Sequence, residues 1–333
     1  MKRLITLTFG IVLATGVCSF KSEPEYRRAR REGAMAEIRV HVVDENGSSV
    51  SNANVQVFMG MNFRPRGYYV RGTTDKDGVF TAKGKTCGDE VVIDVTKPGC
   101  YSSSRRLCFA TMGAEGNVVD GRWQPQVRQE QIELRSICCP LKQEAEGDFV
   151  PTARLNVWIG YDLERHDFVA PDGSGQVADL EVRINWDGNR LQNYRGMGVD
   201  VRFTKAYSGR VEYASHADSS FSGPYAADAI AQYDQSQVSF YERVLDDQTR
   251  VRCHWDKGKQ WIVRSRCEVD VEGKLIRAHY SVVDEIRYSG ERDGRASIRI
   301  ISLFNPTPND INLEPMSYEA KKWLRAQKKG LVR

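Results

Sequence analysis

The sequence predicts an all-β protein with two antiparallel domains and a short C-terminal helix. Apolar and polar residues alternate in short runs along the 333 residues, as in Ile38, Val40 and Val42. Turn signals rich in Asp, Asn and Gly separate these runs, as at 44–47 and 75–78. Short strands with frequent turns are typical of β-sandwiches.

The composition is that of a globular protein without a nucleic-acid partner. Hydrophobic residues make up 41% of the chain and charged residues 28%, which is enough apolar material for two cores. The net charge is only +4, and basic residues cluster only at 27–31 and near the C-terminus. Without a basic face, we expect no nucleic acid to bind.

Residues 1–19 have the pattern of an export signal, because Lys2 and Arg3 precede an uncharged, apolar stretch. Three interpretations stay open: a cleaved signal peptide, a lipoprotein with its lipid on Cys18, and an uncleaved anchor. All three predict export to the periplasm, cell surface or medium. A membrane is expected as a partner only if Cys18 is lipidated or the signal is uncleaved. Residues 20–35 are polar and are predicted to be a flexible leader.

Residues 36–139 are predicted to form the first β-sandwich. This part of the chain contains four characteristic segments: Val-Val-Asp-Glu-Asn-Gly at 42–47, Asn-Ala-Asn-Val at 52–55, Thr-Asp-Lys-Asp-Gly-Val-Phe at 74–80, and Lys-Pro-Gly-Cys-Tyr at 97–101. With these segments, residues 36–135 resemble the carboxypeptidase regulatory-like domain, which has an Ig-like or transthyretin-like sandwich. The resemblance implies a non-catalytic accessory module of an exported protein. The remainder resembles uncharacterised secreted bacterial proteins, which implies no activity.

Two inserts, at 59–71 and 110–127, depart from the pattern of that family. They carry Tyr68, Tyr69 and Trp123. Exposed aromatic side chains on loops bind sugars or proteins, so these three residues form a candidate ligand site. The alternative is that they cover the core of their own domain.

The chain has eight cysteines, and seven remain if Cys18 is removed with the signal. Pairing is the default outside the cytoplasm. A turn at 97–98 would bring Cys87 and Cys108 together across a hairpin, which makes them a candidate disulfide. Cys100 would then be able to come near Cys138 or Cys139. A direct bond between residues 253 and 267 is not expected in the predicted strand register.

A polar linker at 140–150 is predicted to precede a second antiparallel β domain at 151–315, either a sandwich or a curved sheet. A two-residue turn at Glu272 and Gly273 would place Val263 opposite Val282, so that apolar side chains face each other. Residues 316–333 are predicted to form a short helix capped by Ser317, docked on the second domain.

The densest polar run of the second domain contains Asp162, Asp167 and Asp172. These carboxylates form a candidate acidic loop for calcium or for hydrolysis, and the alternative is a solvated connection between strands. No histidine has metal-ligand spacing and no catalytic motif is present in the sequence. We therefore predict no catalytic residue, no metal site and no cofactor.

These observations predict an exported, non-catalytic envelope or extracellular protein. In this hypothesis the β-sandwiches bind a protein or glycan partner. Two alternatives are a hydrolase that uses carboxylates of the second β domain and a purely structural envelope protein.

Overall fold

The computed structural model describes residues 24–62, 66–88, 90–109, 118–152, 154–186, 196–216, 218–245, 248–290 and 295–329. Strands make up 50% of the structure and helices 7%, so the predicted all-β class is confirmed. The predicted signal at 1–19 and Cys18 lie outside the described residues. Within the described residues, no helix is long and apolar enough to cross a membrane.

The first β-sandwich packs two sheets around a core that includes Ile38, Val57 and Ile93, each fully buried. One sheet has the order β4-β1-β8-β7, with β9 also on β1, and the other has the order β3-β2-β5-β6. The elements are α1 (Glu25–Glu32), β1 (Ala34–Val43), β2 (Asn54–Gly60), β3 (Gly67–Thr73), β4 (Val79–Thr86), β5 (Val91–Thr96), β6 (Ser103–Leu107), β7 (Val118–Val119), β8 (Arg122–Trp123) and β9 (Arg128–Glu133).

The two Asp-Gly turns predicted from the sequence are present. The Asp75 carboxylate accepts hydrogen bonds from the backbone N–H groups of Asp77, at 2.9 Å, and Val79, at 2.8 Å. Gly78 has a φ of 73°, and a Cβ there would lie 2.7 Å from the carbonyl oxygen of Val42. The turn therefore requires glycine both for its backbone angle and for the close approach of β1.

The flexible leader predicted for residues 20–35 is wrong for its second half. Helix α1 packs on the first core through Ala29, which is 3% exposed. The ring of Tyr26 meets the ring of Trp123 edge to face at 6.2 Å. These apolar contacts come from Tyr26 and Ala29, which are three positions apart in a segment that is otherwise mostly charged. The hydrophobic pattern was too sparse to predict a helix from the sequence.

The second β-sandwich has a front sheet, with the order β12-β11-β13-β14-β16-β17, and a back sheet, with the order β10-β20-β19-β18-β15. The strands are β10 (Val150–Thr152), β11 (Ile159–Asp162), β12 (Asp167–Phe168), β13 (Leu180–Trp186), β14 (Gly196–Arg202), β15 (Gly209–Ala214), β16 (Val238–Val244), β17 (Arg250–Cys253), β18 (Lys259–Val269), β19 (Leu275–Gly290) and β20 (Ala296–Phe304). Their inner faces share one core, which includes Val199, Val263 and Ile298.

The predicted register of the β18–β19 hairpin is wrong by one residue. Val263 lies opposite Ser281, and Val282 lies opposite Ile262. The turn is longer than two residues, since the N–H of Asp270 donates to the carbonyl of Lys274, and the ladder is irregular beyond Ser265. Both faces of these strands are apolar because loops cover the outer face, so the hydrophobic pattern could not select one register.

Segments outside the two cores hold them together. Buried Glu314 accepts hydrogen bonds from the hydroxyl of Tyr101, at 2.8 Å, and from the backbone N–H groups of Cys138 and Cys139, at 2.9 and 2.6 Å. Helix α2 (Tyr318–Lys328) begins at the predicted cap Ser317. It packs in a cluster with Tyr101 and Ile137, so it contacts the first domain rather than docking only on the second.

Candidate functional site

The candidate ligand site in the inserts is not formed as predicted. Trp123 lies on β8 and is fully buried in the first core, where its indole Nε1 donates to the carbonyl of Thr86 at 2.8 Å. Residues 110–117, in the same insert, lie outside the described residues. Trp123 therefore stabilises its own domain and offers no surface to a ligand.

Tyr68 and Tyr69 lie on strand β3 rather than on a loop. The hydroxyl of Tyr68 donates to the carbonyl of Lys85 at 3.1 Å, so this ring bridges the edges of the two sheets. The ring of Tyr69 packs on the ring of Phe58, with 5.3 Å between the ring centroids. The Arg71 guanidinium lies over the Tyr69 ring, 4.7 Å from its centroid. Neighbouring residues on a strand point to opposite faces, so the two rings do not form one platform.

Asp162 and Asp167 of the acidic loop lie opposite each other on two short strands. Both carboxylates accept hydrogen bonds from the protein itself. Asp162 is 1% exposed and accepts hydrogen bonds from four backbone N–H groups, those of residues 164, 165, 176 and 177. Burial raises the pKa of Asp162, but these hydrogen bonds and Arg266 outweigh it and hold the pKa below its ordinary value. Asp172 forms an ion pair with Arg154 at 2.6 Å.

The same loop is closed by Ser174, whose N–H and hydroxyl donate to Asp167 at 2.7 and 2.6 Å. These hydrogen bonds hold the pKa of Asp167 below its ordinary value although burial acts to raise it. These hydrogen bonds occupy lone pairs of both carboxylates and close the loop on itself. The geometry favours the alternative of a connection between strands, and the calcium or hydrolytic role stays a prediction.

The predicted disulfide between Cys87 and Cys108 is not formed. Cys87 is buried and Cys108 is exposed, and no disulfide joins them. The hairpin predicted between them exists, because the N–H of Phe109 donates to the carbonyl of Gly88 at 2.7 Å. Closeness along the backbone does not suffice for a disulfide, which also requires the two side chains to point toward each other.

A cleft of about 510 Å³ lies at one end of the second β-sandwich. One wall is formed by a row of residues that pair across the front sheet: Trp186 pairs with Met197, Met197 with Glu242, and Glu242 with Arg252. The first three residues of this row, Trp186, Met197 and Glu242, line the cleft. Residues directly opposite on antiparallel strands share a face. The inner face of the front sheet thus changes from apolar to charged within this row.

The other wall is the end of β19. Residues 285–290 line the cleft and pair with β20, while the pairing of β19 with β18 ends at Val283. In the described part of the chain, this edge of β19 has no strand beside it beyond that point. A strand edge presents backbone N–H and C=O groups, so this wall supplies main-chain donors and acceptors.

Aromatic rings close the inner end of the cleft. Trp255 packs on Trp261 at 4.8 Å and on Phe240 at 5.6 Å between ring centroids. The indole N–H groups of Trp186 and Trp255 are buried and have no acceptor in the part of the chain that the structure describes. A buried donor without an acceptor costs about 1–3 kcal/mol, so an oxygen-bearing ligand would be favoured here.

Several charged or titratable side chains line the same cleft, and three of them lie on or next to strand β17 and its partner β16. The side chain of Glu242 is 23% exposed and forms an ion pair with Arg252 at 3.0 Å. His254 and Lys257 are exposed and lie on the connection between β17 and β18. A carboxylate and an imidazole in one cleft can accept and donate protons.

Sequence reasoning did not select these residues, although one signal existed. Val238, Phe240 and Glu242 alternate on one face of β16, so a carboxylate continues an apolar stripe. The partners of Glu242 come from strands far apart in the chain, and their convergence depends on the sheet order. In the described ranges, no group of three or more His, Cys, Asp or Glu side chains could hold a metal ion.

Comparison with known proteins gives no family for this chain. No family model matches, and no curated protein matches. The solved structures that match include 3-chlorocatechol 1,2-dioxygenase from Rhodococcus opacus, at 11% identity and a TM-score of 0.26. That match covers 32% of this chain and 62% of the other, so the chain spans less than two thirds of the enzyme's length.

Two further solved structures show the same low likeness. Hydroxyquinol 1,2-dioxygenase from Pseudomonas putida matches at 13% identity and a TM-score of 0.23, over 32% of this chain and 58% of the enzyme. The dioxygenase domain of a dioxygenase carbohydrate-binding fusion from a Streptomyces species matches at 14% identity and a TM-score of 0.22, over 31% of this chain and 79% of the other.

The expected non-catalytic protein or glycan binder is contradicted by these matches, because the similar structures are enzymes. At such identities and TM-scores the likeness assigns no reaction, substrate or cofactor to this chain. The resemblance of residues 36–135 to the regulatory-like domain and the predicted export stay predictions.

Proposed function

We propose that the protein is a small-molecule enzyme whose active site is the cleft at the end of the second β-sandwich. The observation that carries the proposal is the row from Trp186 through Met197 to Glu242, which places a carboxylate beside aromatic walls on an inward face. A cleft of about 510 Å³ has the size of ordinary small-ligand sites.

The lining indicates the class of ligand. Trp255 and Trp186 provide flat apolar surface for a ring, and their buried indole N–H groups call for oxygen acceptors. Lys257 adds a positive charge at the mouth. These features fit a small ring compound that carries hydroxyl or carboxylate groups.

Glu242 and His254 are the proton-transfer groups of the proposed site. The Arg252 guanidinium holds the Glu242 carboxylate in place beside the cleft. His254 is exposed, and its imidazole has one nitrogen that donates and one that accepts a hydrogen bond when neutral. Together they would act as general base and general acid on a ligand seated against Trp255.

The proposal is tested by screening phenols, benzoic acids and monosaccharides with ligand-observed NMR, followed by mass spectrometry of the binding compounds for products. Trp255→Ala should weaken binding at least tenfold, which is about 1.4 kcal/mol. Glu242→Gln should keep binding but lower turnover about a hundredfold, the usual size of a proton-transfer contribution.

Trp158→Ala is the matched control. This ring lies outside the cleft, between the guanidinium groups of Arg183 and Arg202 at 4.7 and 4.0 Å. If the Trp255→Ala variant does not fold, Trp255→Phe replaces it in the test. Phenylalanine keeps an aromatic ring and removes the indole N–H, so the two contributions to binding are separated. If no compound binds the folded protein, or if binding is equal in the Trp255 and Trp158 variants, the proposal is wrong.

A further inference from the structure

A second, smaller cavity lies on the outer face of the back sheet. It has a volume of about 130 Å³, which corresponds to about four water molecules at about 30 Å³ each. The loop at 220–223 and the segment at 313–315 cover it. This cavity shares no lining residue with the cleft proposed above.

One end of this cavity is polar and holds Asp284 and Gln260. The side-chain Nε2 of Gln260 donates to Asp284 Oδ1 at 2.6 Å and to the hydroxyl oxygen of Ser222 at 3.0 Å. Gln260 is only 4% exposed, and its Oε1 is buried without a donor in the part of the chain that the structure describes. The cavity therefore contains a buried acceptor that needs a hydrogen-bond donor.

Asp284 adds a negative charge to this end of the cavity. No basic side chain of the described residues is among the groups that shift its pKa. Burial, opposed by the Gln260 hydrogen bond and assisted by neighbouring Glu285, raises the pKa of Asp284 to about 6. Glu285 itself is paired with Arg287 at 2.7 Å. Asp284 lies where the β19–β20 ladder is irregular, between Val283 and Glu285. Such bulges redirect side chains next to functional sites.

The rest of the cavity is apolar. Its walls are Phe221, Val282, Leu303, Leu313 and Pro315, and the first four of these side chains are buried. A ligand with one cationic donor group and a short hydrocarbon stem would match this division. A hard divalent metal would need more oxygen ligands with charge than one carboxylate and one amide supply.

We propose that this cavity binds a primary alkylammonium group, with its N–H donors on Asp284 and Gln260 Oε1 and its alkyl stem against Val282, Leu303 and Leu313. A primary ammonium has three donors and no acceptor, which is the complement of the unsatisfied polar end. The volume admits about four heavy atoms, the size of n-propylammonium. The same group is found at the end of a lysine side chain.

The test is calorimetric titration of the full chain with n-propylamine hydrochloride at pH 8 in buffer free of other small amines. We expect saturable binding that weakens about tenfold at pH 5, because about a tenth of Asp284 carboxyls with a pKa of about 6 are ionised there. Asp284→Asn should abolish the binding. Glu268→Gln, which removes an exposed carboxylate paired with Arg277, is the matched control and should not change it.

Three further titrants separate the sources of the ligand. Tetramethylammonium lacks N–H donors and should not bind. An N-acetyl-lysine amide tests whether a protein side chain can supply the group in place of a free amine. Binding of potassium ions with no binding of n-propylamine, or amine binding that survives Asp284→Asn in a variant shown to be folded by circular dichroism, would overturn the proposal.

Discussion

Arg266 should be among the most costly residues of the second β-sandwich to replace. Its guanidinium donates to Asp179 Oδ1 at 3.0 Å and to Asp162 Oδ1 at 2.9 Å, and it forms an ion pair with Glu164 at 2.5 Å. The side chains of Asp162 and Asp179 are only 2% and 0% exposed. Arg266→Met keeps an unbranched apolar stem against Phe304 but leaves two buried carboxylates without a cation.

The expected loss is about 3 kcal/mol in the free energy of unfolding, the lower end of the range for breaking a buried pair. The lower end applies because both carboxylates keep other donors. Asp162 retains its four backbone N–H groups, and Asp179 retains the N–H of Leu163 and the hydroxyl of Ser265, at 2.9 and 2.8 Å. Urea unfolding followed by tryptophan fluorescence measures the difference.

The pH dependence gives this prediction a second readout. The pKa of Asp162 is lower in the folded protein than in the unfolded chain, so its contribution is present above about pH 4 and is lost as the pH falls further. The difference between Arg266→Met and the parent protein should therefore shrink in acid. Arg277→Met, which breaks an exposed ion pair, should cost less than about 1 kcal/mol. A cost for Arg266→Met no larger than this control would refute the reasoning.

Three further predictions use other parts of the structure. Glu314→Ala leaves two backbone amides without their acceptor and the Tyr101 hydroxyl with only the carbonyl of Pro315 at 3.5 Å, and should cost about 1–3 kcal/mol in urea unfolding. Asp284→Asn should stabilise the protein increasingly between pH 4 and 7, by at most about 3 kcal/mol, because a raised folded-state pKa of about 6 removes stability as the pH rises; equal effects at both pH values would contradict this. Exposed Cys253 should react with a thiol reagent in the native protein and buried Cys87 only after unfolding.

Local rules predicted those parts of the fold that depend on neighbours in the chain. The turn at Asp75 and Gly78 follows from an Asp that accepts two backbone N–H groups and a Gly at positive φ, and both are readable in sequence. The alternation at Ile38 and Val40 likewise predicts an inward face on β1.

Local rules failed where contacts between distant parts of the chain determine the position and the partners of a side chain. Trp123 lies beside an irregular insert in the sequence, but the core of the first domain buries it completely. The acidic residues near Asp162 suggested a ligand loop, but Arg266 and backbone N–H groups from elsewhere in the fold take up that carboxylate. Glu242 became a candidate only through the order of four strands that no local pattern reveals.

The central claim is that the cleft bounded by Trp186, Glu242 and Trp255 is the site at which this protein acts. The most direct measurement is a crystal structure of the protein with the tightest-binding ring compound from the screen. We predict that the ring lies against Trp255, with an oxygen substituent within hydrogen-bonding distance of Glu242 or His254. A ligand bound elsewhere while the cleft holds only water would contradict the claim.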